Sequence, residues 1–537
     1  MEEFIRPLIR YRRLDNFIRK PHSRHDRCQS VAMGILDSIF KAFSGDRESA
    51  ASGSERRPVY GYPSDSRPKV PTASKPSCQQ VRESDGLDIT PTLRHALSLL
   101  ADTERHLFIT GGAGTGKSAL LRHFVKCTSK RVAVLAPTGL AALNIGGTTV
   151  HSFAHLPPQL INSQVLSGIR ASQATRKMVR NLDMVIVDEV SMIRADVLDG
   201  LDAFLKVARG TKLPFGGIQM VFIGDLFQLP PVCKQDVSSM FGGAGPNRWA
   251  SPFFFSARSL TNAEAELHPV ILEQNFRQAT DLALSAILDE IRLGRASSSS
   301  LSILSARVQK WPDPGEITSL TPTNADAEII NRDQLERLPG REYCFPASVS
   351  GRFNNDLAED RLPAPELLKL RVGAKVIFTK NDLEGRWRNG TSGIVAHVDE
   401  SSIEVINQDN PARPRFLVQQ TTWERVAYRW DEAANELRAE VLGSFRQFPL
   451  TLAWALTIHK AQGKTLAVVG VDLGAGAFAS GQTYVALSRC RSLEGLFLRA
   501  PLRKEDILCD DRVVAFNEAI RGQWEKQRPK IANVGPS

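Results

Sequence analysis

The chain of 537 residues has no C-x-x-C pair and no apolar run of membrane-span length. The first absence argues against a zinc site and the second against a spanning helix. Its seven cysteines, Cys28, Cys78, Cys127, Cys233, Cys344, Cys490 and Cys509, are odd in number and widely scattered. That spacing argues against a disulfide framework and for a reducing compartment. Tandem repeats are absent too. What is there is a chain at 42% hydrophobic residues, long enough for roughly three or four domains with proper cores. Its formal net charge of +10 suits a polyanionic partner, although part of the excess sits near the start of the chain and basic proteins are common.

Residues 1–88 differ from the rest. They are Arg-rich at first (Arg10, Arg12, Arg13, Arg19), then Ser/Pro-rich, with little apolar periodicity, and are expected to be a basic, mostly disordered tail. Within it, Ile35, Leu36, Ile39, Phe40 and Phe43 would line one face of a short helix. A start at Met33 would create a myristoylation-like M-G-x-x-x-S. From Ile89 the texture alternates strand and helix, which predicts an α/β fold with a largely parallel sheet. The expected layout is a first lobe over 89–265, a second over 266–380 and 449–512, an inserted β subdomain over 381–448 and a basic tail over 513–537. Asn389-Gly390 is a hairpin signal within the insert.

The stretch LFITGGAGTGKS, Leu107–Ser118, carries the sharpest chemistry. An apolar strand runs into Gly111, Gly112, Ala113, Gly114, Thr115 and Gly116, small residues whose backbone N–H groups can wrap phosphates. Lys117 supplies a cation to the terminal phosphates, and Ser118 is the expected ligand of Mg²⁺. A second apolar run, DMVIV, ends in Asp188-Glu189. Asp188 is then placed to orient the metal, and Glu189 to polarise a water for in-line attack at the γ-phosphate. Gln228, in GDLFQLPPV, has an amide able to donate to that phosphate and accept from the water. Arg277 and Arg489 are expected from a second α/β region, as arginine fingers that stabilise the transferring phosphoryl group when that region closes. Gly463-Lys464-Thr465 is not a second P-loop, because Ile458 stands where the opening glycine would be.

In order, GGAGTGKS, APTGLAALNIGG, GTTVHSF, VDEVSM, GDLFQLPPV, LEQNFRQ, NGTSGIV, LAWALTIHKAQGKT and QTYVALSRCRSLEGL resemble the Pif-type branch of superfamily 1 DNA helicases, related to RecD, over about 89–512. The resemblance implies two RecA-like P-loop motor lobes, with the β-rich insert as an SH3-like barrel. It also implies hydrolysis of ATP with Mg²⁺, and 5′→3′ movement on single-stranded DNA into 5′-tailed duplex, in replication, recombination, repair or telomere maintenance. Gly463 would belong to the nucleotide site. Thr138, Thr149, His151, Thr457, His459 and Lys460 would face the DNA strand, hydroxyls and lysine on phosphates and rings on bases. Leu93 falls where the family often carries a glutamine that reads adenine, and Phe276 falls where tyrosine is common. The compartment implied is the bacterial cytoplasm, or the nucleus or mitochondrion of a eukaryote. Two rival functions keep the same fold: a DNA-stimulated ATPase that remodels protein–DNA complexes, and a nucleotide-switched DNA-binding module that does not unwind.

Overall fold

The computed structural model describes residues 90–528, apart from 158–159, 234–239, 243–247, 262–264, 354–361, 383, 409, 411, 413, 432–435 and 475. The expected tail over 1–88, its short helix and its alternative start lie outside these residues.

The chain enters through the helix Pro91–Asp102. Thr90 caps it, Pro91 fits the first turn, and Leu93, Ala96, Leu97 and Leu100 form its buried stripe. Six strands then build a wholly parallel sheet: β1 His106–Gly111, β2 Val132–Ala136, β3 Thr148–Thr149, β4 Met184–Val187, β5 Gln219–Gly224 and β6 Leu267–Leu272. Their order is β3-β2-β4-β5-β1-β6. Near-continuous burial along β1, β4 and β5 is what a sheet covered on both faces requires.

A second parallel sheet forms from β7 Thr318–Thr321 and three strands that return far later in the chain. Between them lie β8 Tyr343–Pro346, β9 Ser348–Gly351, β10 Leu367–Leu370, β11 Lys375–Phe378, β12 Ser392–Val398, β13 Ile403–Asn407, β14 Arg415–Val418, β15 Thr421–Asp431, β16 Glu436–Gln447 and β17 Leu450–Leu452. The returning strands are β18 Ala455–Thr457, β19 Val469–Val471 and β20 Leu496–Leu498, giving the order β18-β7-β19-β20. The intervening strands pair antiparallel as β14-β13-β12-β11-β17, β15-β16-β9 and β10-β8. They enclose a separate core around Leu370, Val376, Phe378, Val405 and Leu450.

Four expectations change. The strand β6 pairs with β1, so the first sheet runs past residue 265, and the segment holding Arg277 springs from this sheet. The β-rich region is wider than 381–448, because β11 and β17 complete the five-stranded sheet from either side. Asn389-Gly390 is not a two-residue hairpin. It closes a longer connection between β11 and β12, with Gly390 at φ +97° and its N–H donating to Phe378 O at 2.8 Å. The C-terminal stretch is not a tail throughout. Asp511–Gln527 is a helix that buries Val513, Ile520 and Trp524 and stacks Phe516 on Phe255 at 4.3 Å, closing the chain back onto the first lobe. Cys233, Cys344, Cys490 and Cys509 are free.

The long hairpin of β15 and β16 leaves its own core and rests on the first lobe. The Tyr428 hydroxyl accepts from Val134 N–H at 3.2 Å, on the side of β2 where β3 pairs only from Leu135 onward. Arg131 lies over the Trp430 ring at 5.8 Å.

Candidate functional site

The carboxyl ends of β1, β4 and β5 meet one another and the second lobe in a single cleft. At β1 the chain turns through Gly114 and Gly116, at φ +86° and +88°, into the helix Lys117–Cys127. Only glycine holds such angles without strain, and at Gly114 an added Cβ would also lie 2.6 Å from Arg277 Cβ. Lys117 Nζ donates to Gly111 O at 2.7 Å and Gly112 O at 2.9 Å. Burial lowers its pKa, against the opposing pull of Asp225 and Glu189. Ser118 is exposed at the start of the helix, and Thr115 is buried with its hydroxyl donating to Gly112 O at 3.0 Å.

At β4, Asp188 is buried and accepts from Glu189 N–H at 2.9 Å. Glu189 takes φ +49° and ψ +44°, a left-handed backbone that a side-chain-bearing residue keeps only where its surroundings impose it. Burial raises both carboxyl pKa values, and the neighbouring Glu189 charge helps push Asp188 up to about 7. The Asp188 and Glu189 carboxylates and the exposed Ser118 hydroxyl are oxygen donors of the kind a hard divalent ion takes. No cluster of three or more His, Cys, Asp or Glu among the described residues could cage a metal.

At β5, Gln228 is buried, with Nε2 donating to Asp225 Oδ2 at 3.4 Å. Asp225 pairs with Arg292 at 2.9 Å. Burial alone would raise this carboxyl, but the Arg292 and Lys117 charges hold it below the ordinary value.

From the second lobe, Arg489 is fully buried, with Nε on Val485 O at 2.8 Å and Nη2 on Ser488 Oγ at 2.7 Å. Arg277 Nη1 donates to Ser488 O at 3.0 Å. Burial and mutual repulsion push Arg277 down to about 9, and burial pushes Arg489 down to about 10. The two fingers thus converge from opposite sides. Arg277 belongs to the P-loop side, where Phe276 N–H donates to Gly114 O at 3.0 Å, and its bond to Ser488 O crosses to the second lobe, while Arg489 faces the Glu189 and Asp225 charges from that lobe. Gly463 sits at φ +78° in the turn after the short helix Ile458–Ala461.

Two further residues of the cleft have no role assigned by sequence. The Tyr484 hydroxyl accepts from the P-loop Ala113 N–H at 2.8 Å and donates to Asp225 Oδ2 at 3.1 Å. Gln462 Nε2 donates to Glu189 Oε2 and to Gln228 Oε1, each at 3.2 Å. Both stand inside quoted motifs, and that was the available signal. Their partners lie 371 and 273 residues away.

The residues expected at DNA form a second set. Thr138, Thr149 and Thr457 each cap a short helix, accepting from Ala141, Ser152 and Lys460 N–H at 3.1–3.2 Å. A hydroxyl that accepts in this way keeps its own hydrogen free to donate. His459 is exposed, Lys460 and His151 are half-buried, and burial lowers the His151 pKa. Leu93 is packed in the core of the first lobe and is not free to read a base.

A family model described as "PIF1-like helicase" matches residues 93–242. The ATP-dependent DNA helicase PIF1 of Emericella nidulans is 33% identical over 79% of this chain and 62% of its own length. The ATP-dependent DNA helicase Pif1 of Bdellovibrio bacteriovorus is 33% identical over 81% of this chain and 93% of its own. The chain therefore spans under two thirds of the fungal relative and nearly all of the bacterial one. Among solved structures, unliganded Pif1 from Bacteroides superposes with a TM-score of 0.72 at 32% identity, covering 82% of this chain and 98% of that one. The same protein bound to single-stranded DNA superposes at 0.57, also at 32% identity, covering 81% of this chain and 98% of that one. The conformation described here is the nearer to the DNA-free structure.

Proposed function

Since the chain belongs to the PIF1-like helicase family, we propose that it is an ATP-dependent DNA helicase that travels 5′→3′ along single-stranded DNA and opens 5′-tailed duplex. The observation that carries this reading is the cleft itself. Lys117, Asp188, Glu189, Gln228, Arg277 and Arg489 converge from two parallel sheets, and one wall of the cleft continues into the helix capped by Thr457.

In this reading the P-loop amides and Lys117 cradle the β- and γ-phosphates of ATP, with Lys117 leaving its present carbonyl partners to reach them. Ser118 and Asp188 would hold Mg²⁺, whose charge draws the phosphates and lowers the cost of the transition state. Glu189 takes the proton of the attacking water, and Gln228 orients that water. Arg277 and Arg489 meet the charge that develops on the transferring group. Because Arg489 comes from the opposite lobe, binding and loss of the γ-phosphate favour different lobe spacings, which converts hydrolysis into alternating grips on the strand. Thr138, Thr149, Thr457 and Lys460 serve as phosphate grips, and His151 and His459 stack on bases. The inserted β region fills the place of the SH3-like subdomain of the second lobe.

The test pairs ATPase measurement, with and without single-stranded DNA, with strand separation on 5′- and 3′-tailed duplexes. DNA-stimulated hydrolysis and opening of the 5′-tailed substrate are expected. Stimulation without separation on either tail would replace the helicase by a remodelling ATPase, and hydrolysis indifferent to DNA would replace it by a nucleotide switch.

A further inference from the structure

Gln462 stands at the C-terminal end of the four-residue helix Ile458–Ala461, whose N-terminal cap is Thr457. Its side-chain nitrogen lies 3.2 Å from Glu189 Oε2 and 3.2 Å from Gln228 Oε1. The opposite amide orientation would set a carbonyl against a carboxylate, so the nitrogen must face Glu189. An attacking water needs the same two acceptors, one for the proton it gives up and one to fix its second hydrogen. The NH₂ group of Gln462 therefore satisfies both groups that would otherwise hold the water.

We propose that Gln462 is a positioning residue that occupies the attacking water's place in the DNA-free protein and is withdrawn when a strand engages the other end of its helix. The inference rests on the helicase reading above. Thr457 and Gln462 are five residues apart, about 7 Å along a helix, so a small rotation of this rigid turn moves both ends together. The Lys464 ammonium holds Asn389 Oδ1 at 2.7 Å, and Arg489 Nη1 donates to Lys464 O at 3.3 Å. The segment that carries Gln462 is thereby tied to the β-rich region on one side and to the arginine finger on the other. Strand binding at Thr457, His459 and Lys460 thus has a direct mechanical route to the hydrolytic carboxylate. Without DNA, ATP can bind while the water cannot be seated.

The experiment measures steady-state kcat and KM for ATP, with and without a single-stranded thymidine oligonucleotide, in the full chain and in Gln462→Leu. Releasing two ordinary hydrogen bonds predicts a DNA-free kcat higher by roughly tenfold, with KM little changed and DNA stimulation smaller by the same factor. A merely structural residue would not raise kcat when removed. Gln462→Met is the second variant. It keeps the length and the unbranched shape and cannot donate, so it should act in the same direction even where the leucine protein folds poorly. An unchanged DNA-free kcat, or a kcat lowered both with and without DNA, overturns the inference while leaving the helicase reading in place. A wild-type chain that ignores DNA overturns the helicase reading and the strand-gated release with it.

Discussion

The two parallel sheets share one architecture and divide the chemistry. The six-stranded sheet places its groups at strand ends: the phosphate loop after β1, Asp188-Glu189 after β4, and Asp225 and Gln228 after β5. The four-stranded sheet reaches the cleft with Gln462, Tyr484 and Arg489, each on or next to a short helix: Gln462 and Tyr484 donate to carboxylates of the first sheet, and the Arg489 charge faces Glu189 and Asp225. One sheet builds a reaction site, and the other completes or blocks it according to how the lobes sit. Damage to the first should remove chemistry with and without DNA alike, and damage to the second should lower kcat where the lost group completes the site and raise it where the lost group blocks it.

The largest expected effect tests that division directly. Arg489→Ala should lower kcat by about 10³-fold or more, the worth of an arginine finger, with ATP affinity changed only a few-fold. A fluorescent-nucleotide titration beside steady-state kinetics checks it, and a parallel collapse of affinity would place Arg489 in the binding site proper. On the first sheet, Glu189→Gln should cost about 10²–10⁴-fold in kcat, with and without DNA alike. A loss confined to the DNA-bound state would break the division.

Smaller effects concern the junction between the sheets. Asp225→Ala leaves the buried Arg292 guanidinium unpaired and should destabilise the chain by about 3–5 kcal/mol, read by denaturant unfolding. Tyr484→Phe strips partners from Ala113 N–H and Asp225 Oδ2, at a cost of about 1–3 kcal/mol. A stability equal to wild type would mean that the phenol bridge does not hold the lobes together. The smallest effect is a pH dependence. Burial pushes Lys464 down to about 8, below its unfolded value, so the unfolded chain binds more protons between that pH and about 10.4, and stability should rise with pH across this window. Lys464→Met should flatten the rise, measured by unfolding at pH 8 and 9.5 in both proteins.

What could be read from sequence followed the same division. The groups of the first sheet are local: an apolar run, then a polar residue at its end, as with DMVIV before Asp188 and MVFIG before Asp225. Such signals survive without knowledge of strand order. Assigning Arg277 to the second lobe failed because it depends on β6 pairing with β1, a contact between segments some 160 residues apart that no local pattern records. The limits of the β-rich region were missed because β9 is exposed along its whole length and gives no alternation to read. The docking of Asp511–Gln527 was hidden by its charge, although Val513, Phe516, Ile520 and Trp524 recur at helical spacing. Tyr484 and Gln462 had motif membership but no visible partner until the lobes came together.

The most direct test of the central claim is strand separation on matched 5′-tailed and 3′-tailed duplexes with ATP, run for the wild-type chain and Lys117→Ala side by side. The account predicts opening of the 5′-tailed substrate by wild type and none by Lys117→Ala. Opening of 3′ tails alone, or unwinding that survives the loss of Lys117, would contradict it.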